Sequence, residues 1–137
     1  MPSPLTITTP TLSLTLDLTV TDPDLSFPEN ATLTVSVQAG TFSATAPMDI
    51  DASSLPDFCN DLKKIYDTLS GNAKISEPYG KRYLSFCGDG KGHVEVSGYL
   101  YNRADDGFYG EMSFETLTDQ TVLPTLIRGL SELASGL

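Results

Sequence analysis

The chain has 137 residues, 39% of them hydrophobic, and its 18 acidic and 8 basic residues give a formal net charge of −10. This length and hydrophobicity exclude a disordered chain and predict a single domain over residues 1–137 with a core of its own. The negative charge argues against nucleic acid and anionic membranes as direct partners, but it permits a basic protein.

The charge is unevenly distributed along the chain. Residues 1–62 contain eight carboxylates and no Lys or Arg, whereas residues 63–137 contain ten acidic and eight basic residues. Two interpretations stay open: an acidic surface that binds a basic partner, and an acidic surface that only keeps the protein in solution.

Neither a targeting segment nor a membrane span is predicted. Residues 1–20 lack a basic segment before an apolar core, and no apolar run reaches the ~18 residues that a membrane helix needs. Cys59 and Cys87 fall at positions that we expect to be buried. A cytoplasmic protein with free thiols is therefore expected.

The first half of the chain predicts three strands. Apolar and polar residues alternate over 12–20, 31–37 and 42–48, which is the pattern of strands with one buried face. A two-residue turn at Ala39-Gly40 would join the second and third strands and place Val37 opposite Phe42.

Two helices are predicted from apolar residues at helical spacing, over 54–70 and 121–134, with Ser54 and Thr121 as their caps. Four short strands are expected between the helices, around 73–76, 82–87, 93–101 and 108–116. The order βββαββββα predicts an α+β fold in which two amphipathic helices cover an antiparallel sheet of about seven strands, either open or curled.

Candidate catalytic groups are few. His93 is the only histidine, and it shares a strand face with Glu95 and Ser97. Residues two apart on a strand are about 6.6 Å apart along it, too far for a catalytic relay. The loop from Gly88 to Gly92 joins two strands, whereas a phosphate-binding loop opens a helix. We therefore predict no catalytic residue, no metal site and no cofactor, although a carboxylate pair of the hydrolase type stays open.

One end of the predicted hairpin collects acidic residues. The loop that enters the second strand and the segment that leaves the third must lie at the same end of the sheet, because the strands are antiparallel. We predict that this end binds the partner, with Phe27 as an apolar anchor among carboxylates that, Asp57 aside, have no local structural task. The candidate residues are Asp22, Asp24, Phe27, Glu29, Asp49 and Asp51.

Two segments carry a resemblance to a known family: Gly92-His93-Val94-Glu95-Val96 and Asp119-Gln120-Thr121. In this order, after the helix that begins near Leu55, they resemble the WapI-family immunity proteins, which are small bacterial partners of polymorphic toxins. The resemblance runs from about Leu12 to the end of the chain. It implies a cytoplasmic protein that binds and neutralises a toxin domain, often a nuclease, and it implies no catalytic residues.

The preferred interpretation is thus a stoichiometric protein inhibitor of a basic toxin domain. The alternatives are a small-ligand or adaptor module and, with less support, a hydrolase that uses a carboxylate pair.

Overall fold

The computed structural model describes residues 4–22, 24 and 28–135, and within them the chain forms eight strands and two α-helices. The strands are β1 (Leu5–Thr8), β2 (Leu12–Val20), β3 (Ala31–Ala39), β4 (Phe42–Ile50), β5 (Ser70–Ser76), β6 (Tyr83–Asp89), β7 (His93–Arg103) and β8 (Tyr109–Asp119). The helices are α1 (Ser54–Thr68) and α2 (Leu123–Ser135), the latter preceded by a 3₁₀ turn, Gln120–Val122.

The strands form two antiparallel sheets of four, in the orders β1-β2-β3-β4 and β5-β6-β7-β8. The α+β class is confirmed, but a single sheet of about seven strands is wrong, and the sheets are neither closed nor strongly curled. The unpredicted strand is β1, whose Leu5 and Ile7 are buried and which pairs with β2. The division falls at α1, which separates the two sets of consecutive strands.

The hairpin of β3 and β4 has a different register from the predicted one. Ala39 pairs with Phe42 and Val37 with Ala44, so the turn is Gly40-Thr41 and the pairing is shifted by two residues. Gly40 has a φ of 63°, which a type II′ turn requires at its first central position. The predicted turn would have placed Ala39 there, where its side chain disfavours positive φ. Phe42 therefore lies at the hairpin tip and is 72% exposed.

The core lies between the sheets and the helices. The sheets approach each other where β4 contacts β7 and β8, while α1 packs against β5, β6 and α2, and α2 packs against β1. One hydrophobic cluster includes buried side chains from both sheets and both helices. Leu62 of α1 and Leu126 of α2 are fully buried, which confirms the predicted apolar stripes.

Both predicted helix caps are wrong. Ser53 holds the cap position of α1 without a side-chain cap bond, while Ser54 lies within the helix. At the other helix, Asp119 accepts a hydrogen bond from the Thr121 N–H at 3.0 Å. The 3₁₀ turn before α2 accounts for this change, because it moves the start of the helical segment ahead of Thr121.

The two cysteines are unbridged, but they differ in exposure. Cys59 is buried as predicted, whereas Cys87 is exposed, contrary to the prediction. Leu84 and Phe86 of β6 face the core, so Cys87 falls on the opposite face of the strand.

Gly98 of β7 leaves room for an aromatic ring. A Cβ added there would lie 2.7 Å from the Phe114 ring and 3.0 Å from the Tyr83 carbonyl oxygen. Phe114 is the residue paired with Gly98 across β7 and β8, so its ring covers the glycine.

We expect Gly98→Ala to lower the free energy of unfolding by about 1–3 kcal/mol, because the methyl group displaces the Phe114 ring or the Tyr83 backbone. Urea denaturation measures this loss. Ser97→Ala is the control, since residue 97 lies on the other face of the strand. Equal stability of Gly98→Ala and the wild type would contradict the packing described.

Candidate functional site

The structure brings the ends of β2, β3 and β4 together, as the hairpin topology predicted. Thr32 pairs with Asp49, and the Asn30 N–H donates to the Ile50 carbonyl at 3.1 Å. The N–H groups of Thr21 and Asp22 both donate to the Asn30 carbonyl, at 2.9 and 3.0 Å. We call this region the acidic end, defined by Asp22, Asp24, Glu29, Asp49 and Asp51. Phe27, the predicted anchor, lies outside the described residues.

The carboxylates of the acidic end differ in exposure. Asp24 and Glu29 are exposed, while Asp22, Asp49 and Asp51 are half-buried. Asp22 accepts a hydrogen bond from the Asp24 N–H at 3.2 Å, and Asp49 accepts one from the Thr32 hydroxyl at 3.5 Å. Asp24 and Glu29 are thus the best placed to meet a partner.

Asp51 has a local structural task, contrary to the expectation. Its Oδ1 accepts hydrogen bonds from the Ser53 hydroxyl at 2.7 Å, the Ser53 N–H at 2.9 Å and the Asn30 side chain at 3.2 Å. The Asn30 side-chain oxygen in turn accepts from the Ala52 N–H at 2.8 Å. The Ser53 hydroxyl bond is the main cause that lowers the pKa of Asp51, ahead of the other two bonds. This carboxylate therefore shapes the entry into α1.

A buried ion pair that the sequence analysis missed adjoins the acidic end. Glu77 is 6% exposed, and its Oε2 accepts from the Arg82 guanidinium at 2.8 Å and from the Asp49 N–H at 2.9 Å. Its Oε1 accepts from the Arg82 N–H at 3.1 Å. Glu77 thereby links β4 of the first sheet to the β5–β6 turn of the second.

The outer face of the second sheet carries an aromatic cluster that the sequence analysis also missed. We call it the tyrosine face, defined by Tyr83, Tyr99, Tyr101, Tyr109 and Glu111. The rings of Tyr101 and Tyr109 are stacked with centroids 6.2 Å apart, and those of Tyr99 and Tyr101 are 6.0 Å apart. The alternation along β7 could have predicted part of this cluster. Tyr99 and Tyr101 stand at odd-numbered positions, like His93, Glu95 and Ser97, and therefore point to the same outward face.

Hydrogen bonds order this cluster. Glu111 Oε2 accepts from the Tyr99 hydroxyl at 2.6 Å and from the Tyr109 hydroxyl at 3.1 Å. The bond from Tyr99 is the main cause that lowers the pKa of Glu111, and the same bond raises the pKa of Tyr99. The carboxylate therefore stays ionised and the phenol protonated near neutral pH.

Cations also lie on the tyrosine face. The Arg82 guanidinium lies 3.9 Å from the Tyr101 ring centroid, and the Arg103 guanidinium lies 5.6 Å from that of Tyr109. The Arg82 Nε also donates to the Tyr101 carbonyl at 2.9 Å. Arg82 therefore contacts both the tyrosine face and Glu77.

His93 does not form a relay with its neighbours on β7. It shares the outward face with Glu95 and Ser97, as predicted, but its Nδ1 lies 2.9 Å from Asp89 Oδ2. Asp89 also accepts from the Lys91 N–H at 2.7 Å, the main cause that lowers its pKa. The histidine thus belongs to the Gly-rich turn between β6 and β7.

A cleft of about 540 Å³ lies between the β1–β2 loop and the start of α2. Seven threonines are among the residues that line it, together with His93 and Asp119. Across residues 4–22, 24 and 28–135, no group of three His, Cys, Asp or Glu side chains is arranged to hold a metal ion. None of the helices in those ranges has the length and apolar character to cross a membrane.

The family model of the WapI-like immunity proteins matches residues 12–135. The chain belongs to this family. No curated protein matches the sequence. Family membership confirms the resemblance seen in the two short segments, and it makes immunity against a toxin protein the expected role.

The Glu77 ion pair generates a stability prediction. Glu77→Ala should lower the free energy of unfolding by about 3–5 kcal/mol, because it leaves a partly buried guanidinium and the Asp49 N–H without their acceptor. Urea denaturation measures the loss.

Glu132→Ala is the matched control, since Glu132 is exposed on α2, and it should change the stability by less than about 0.5 kcal/mol. A loss below about 1 kcal/mol for Glu77→Ala would show that the pair does not hold the two sheets together.

Proposed function

We propose that this immunity protein neutralises a toxin domain by forming a one-to-one complex, and that the toxin is a basic domain, a nuclease being the best fit. The family accounts for the toxin-binding role, and the acidic end is the observation that supports a basic toxin domain. Asp24 and Glu29 are exposed there, and residues 1–62 supply no Lys or Arg to neutralise them.

A nuclease fits this surface for a physical reason. A domain that binds the phosphates of nucleic acid needs basic side chains at its cleft. An acidic partner can accelerate association with such a cleft and pair with the same side chains. Binding in this manner blocks the substrate without any reaction by the immunity protein, so the proposal requires no catalytic group.

The function is tested with the domain encoded next to the gene for this chain. Co-expression should restore growth, and the purified pair should run as a one-to-one complex by size-exclusion chromatography with light scattering. His93→Ala should protect as well as the wild type, because His93 contacts Asp89 rather than a catalytic relay. Growth arrest despite co-expression of the folded wild-type chain would refute the function, and loss of protection by folded His93→Ala would refute inhibition by binding alone.

A second prediction concerns steering by the acidic end. Asp24→Lys combined with Glu29→Lys should slow association by about tenfold or more at low salt and flatten its salt dependence. Stopped-flow association rates at several ionic strengths measure both effects.

The control for charge is Asp67→Lys combined with Glu132→Lys, two exposed positions on α1 and α2 that change the net charge equally. Equal slowing by the two double variants would assign the effect to net charge. An unchanged rate for the Asp24 and Glu29 variant would eliminate the acidic end as the steering surface.

A further inference from the structure

The outer faces of the two sheets differ in chemistry. The first sheet presents mainly small hydroxyl side chains, namely Thr6, Ser13, Thr15, Thr32, Thr34, Ser36, Ser43 and Thr45. The second presents tyrosines, serines and charged groups, together with the exposed Leu117. Tyrosine and arginine are enriched at the energetic centres of protein interfaces, whereas serine and threonine are under-represented there.

The outer face of the second sheet carries charges of both signs, and the exposed carboxylates of Glu95, Glu111 and Glu115 outnumber the exposed cations of Lys74 and Arg103. Arg82 pairs with Glu77, and Arg103 and Lys74 lie over the Tyr109 and Tyr83 rings. In contrast, the exposed carboxylates of Glu95 and Glu115 form no hydrogen bond or ion pair with any residue that the structure describes. A basic partner surface would supply the cations for these carboxylates.

The tyrosine face is ordered before binding. Tyr99 and Tyr109 are held by Glu111, and the ring of Tyr101 contacts both the Arg82 guanidinium and the Tyr109 ring. Side chains fixed in this way lose less conformational entropy on association, which raises the affinity per contact.

A series of contacts through the buried Glu77 connects the tyrosine face with β4 at the acidic end. Arg82 lies over Tyr101, pairs with Glu77, and Glu77 accepts from the Asp49 N–H. A four-stranded face with strands about 4.8 Å apart measures on the order of 500 Å². A standard interface takes about 800 Å² from each partner, so the tyrosine face alone would supply the larger part of one.

We propose that the tyrosine face, with Glu95 and Glu115 at its margin, is the surface that docks a basic face of the toxin domain. This inference rests on the proposed function and adds to it the surface whose contacts contribute most of the binding free energy. The acidic end attracts the partner, and the tyrosine face holds it.

The test uses the toxin domain encoded beside this chain's gene, purified in an inactivated form. Tyr109→Ala should weaken the equilibrium affinity by about tenfold or more, mainly by faster dissociation. Tyr66→Ala is the matched control, because Tyr66 is 45% exposed on α1 and Tyr109 is 49% exposed on β8. The control should bind within about twofold of the wild type.

A second variant guards against a folding defect. Glu115→Lys changes an exposed carboxylate and should also weaken binding by about tenfold, while Glu132→Lys on α2 should not. Isothermal titration calorimetry gives the affinities, and urea midpoints confirm that each variant is folded.

The outcomes separate the two proposals. If the folded wild type neither binds nor protects against this toxin domain, the proposed function and the docking surface both fail. If the wild type protects and Tyr109→Ala and Glu115→Lys bind as tightly as their controls, only the docking surface fails. Weaker binding by both variants and not by the controls supports it.

Discussion

One buried carboxylate connects the two sheets across the core. Glu77 accepts hydrogen bonds from the Asp49 N–H of the first sheet and from the backbone and guanidinium of Arg82 in the second. A buried charge is tolerated only when such donors satisfy it, so Glu77 requires β4 and Arg82 to stay close together. Arg82 also lies over Tyr101, and the positions of the acidic end and the tyrosine face therefore depend on the same contact.

Local patterns predicted the fold class and most of the elements, because period-two and helical spacing are properties of short segments. They did not set the hairpin register, since a shift of two residues leaves every side chain on the same face. Only the positive φ of Gly40 distinguishes the two pairings. The division into two sheets and the pairing of β1 depend on contacts between distant segments, which single-sequence periodicity does not contain.

The candidate site shows the same limit. The gathering of carboxylates at the acidic end followed from the antiparallel hairpin alone, before any side-chain geometry. Asp51 bonds mainly to Ser53, a local contact, but its bond to Asn30 spans 21 residues and that of Glu77 to Asp49 spans 28. The outward position of Tyr99 and Tyr101 could be predicted from the sequence, because these residues alternate with buried ones along β7. An outward face explains that alternation whether or not it binds a partner, and the contacts that Glu111 and Arg82 make there join different strands, which the alternation does not reveal.

The unequal exposure of the two cysteines has a practical consequence. Cys87 is exposed and pairs with Glu95 on the outer side of the second sheet, while Cys59 is enclosed between α1 and α2, with its Sγ 3.4 Å from the Ser131 Oγ. A maleimide dye should therefore attach at one position of the folded wild-type chain. The label would report from the margin of the tyrosine face, and because this chain contains no tryptophan, any tryptophan emission transferred to the label would come from the partner.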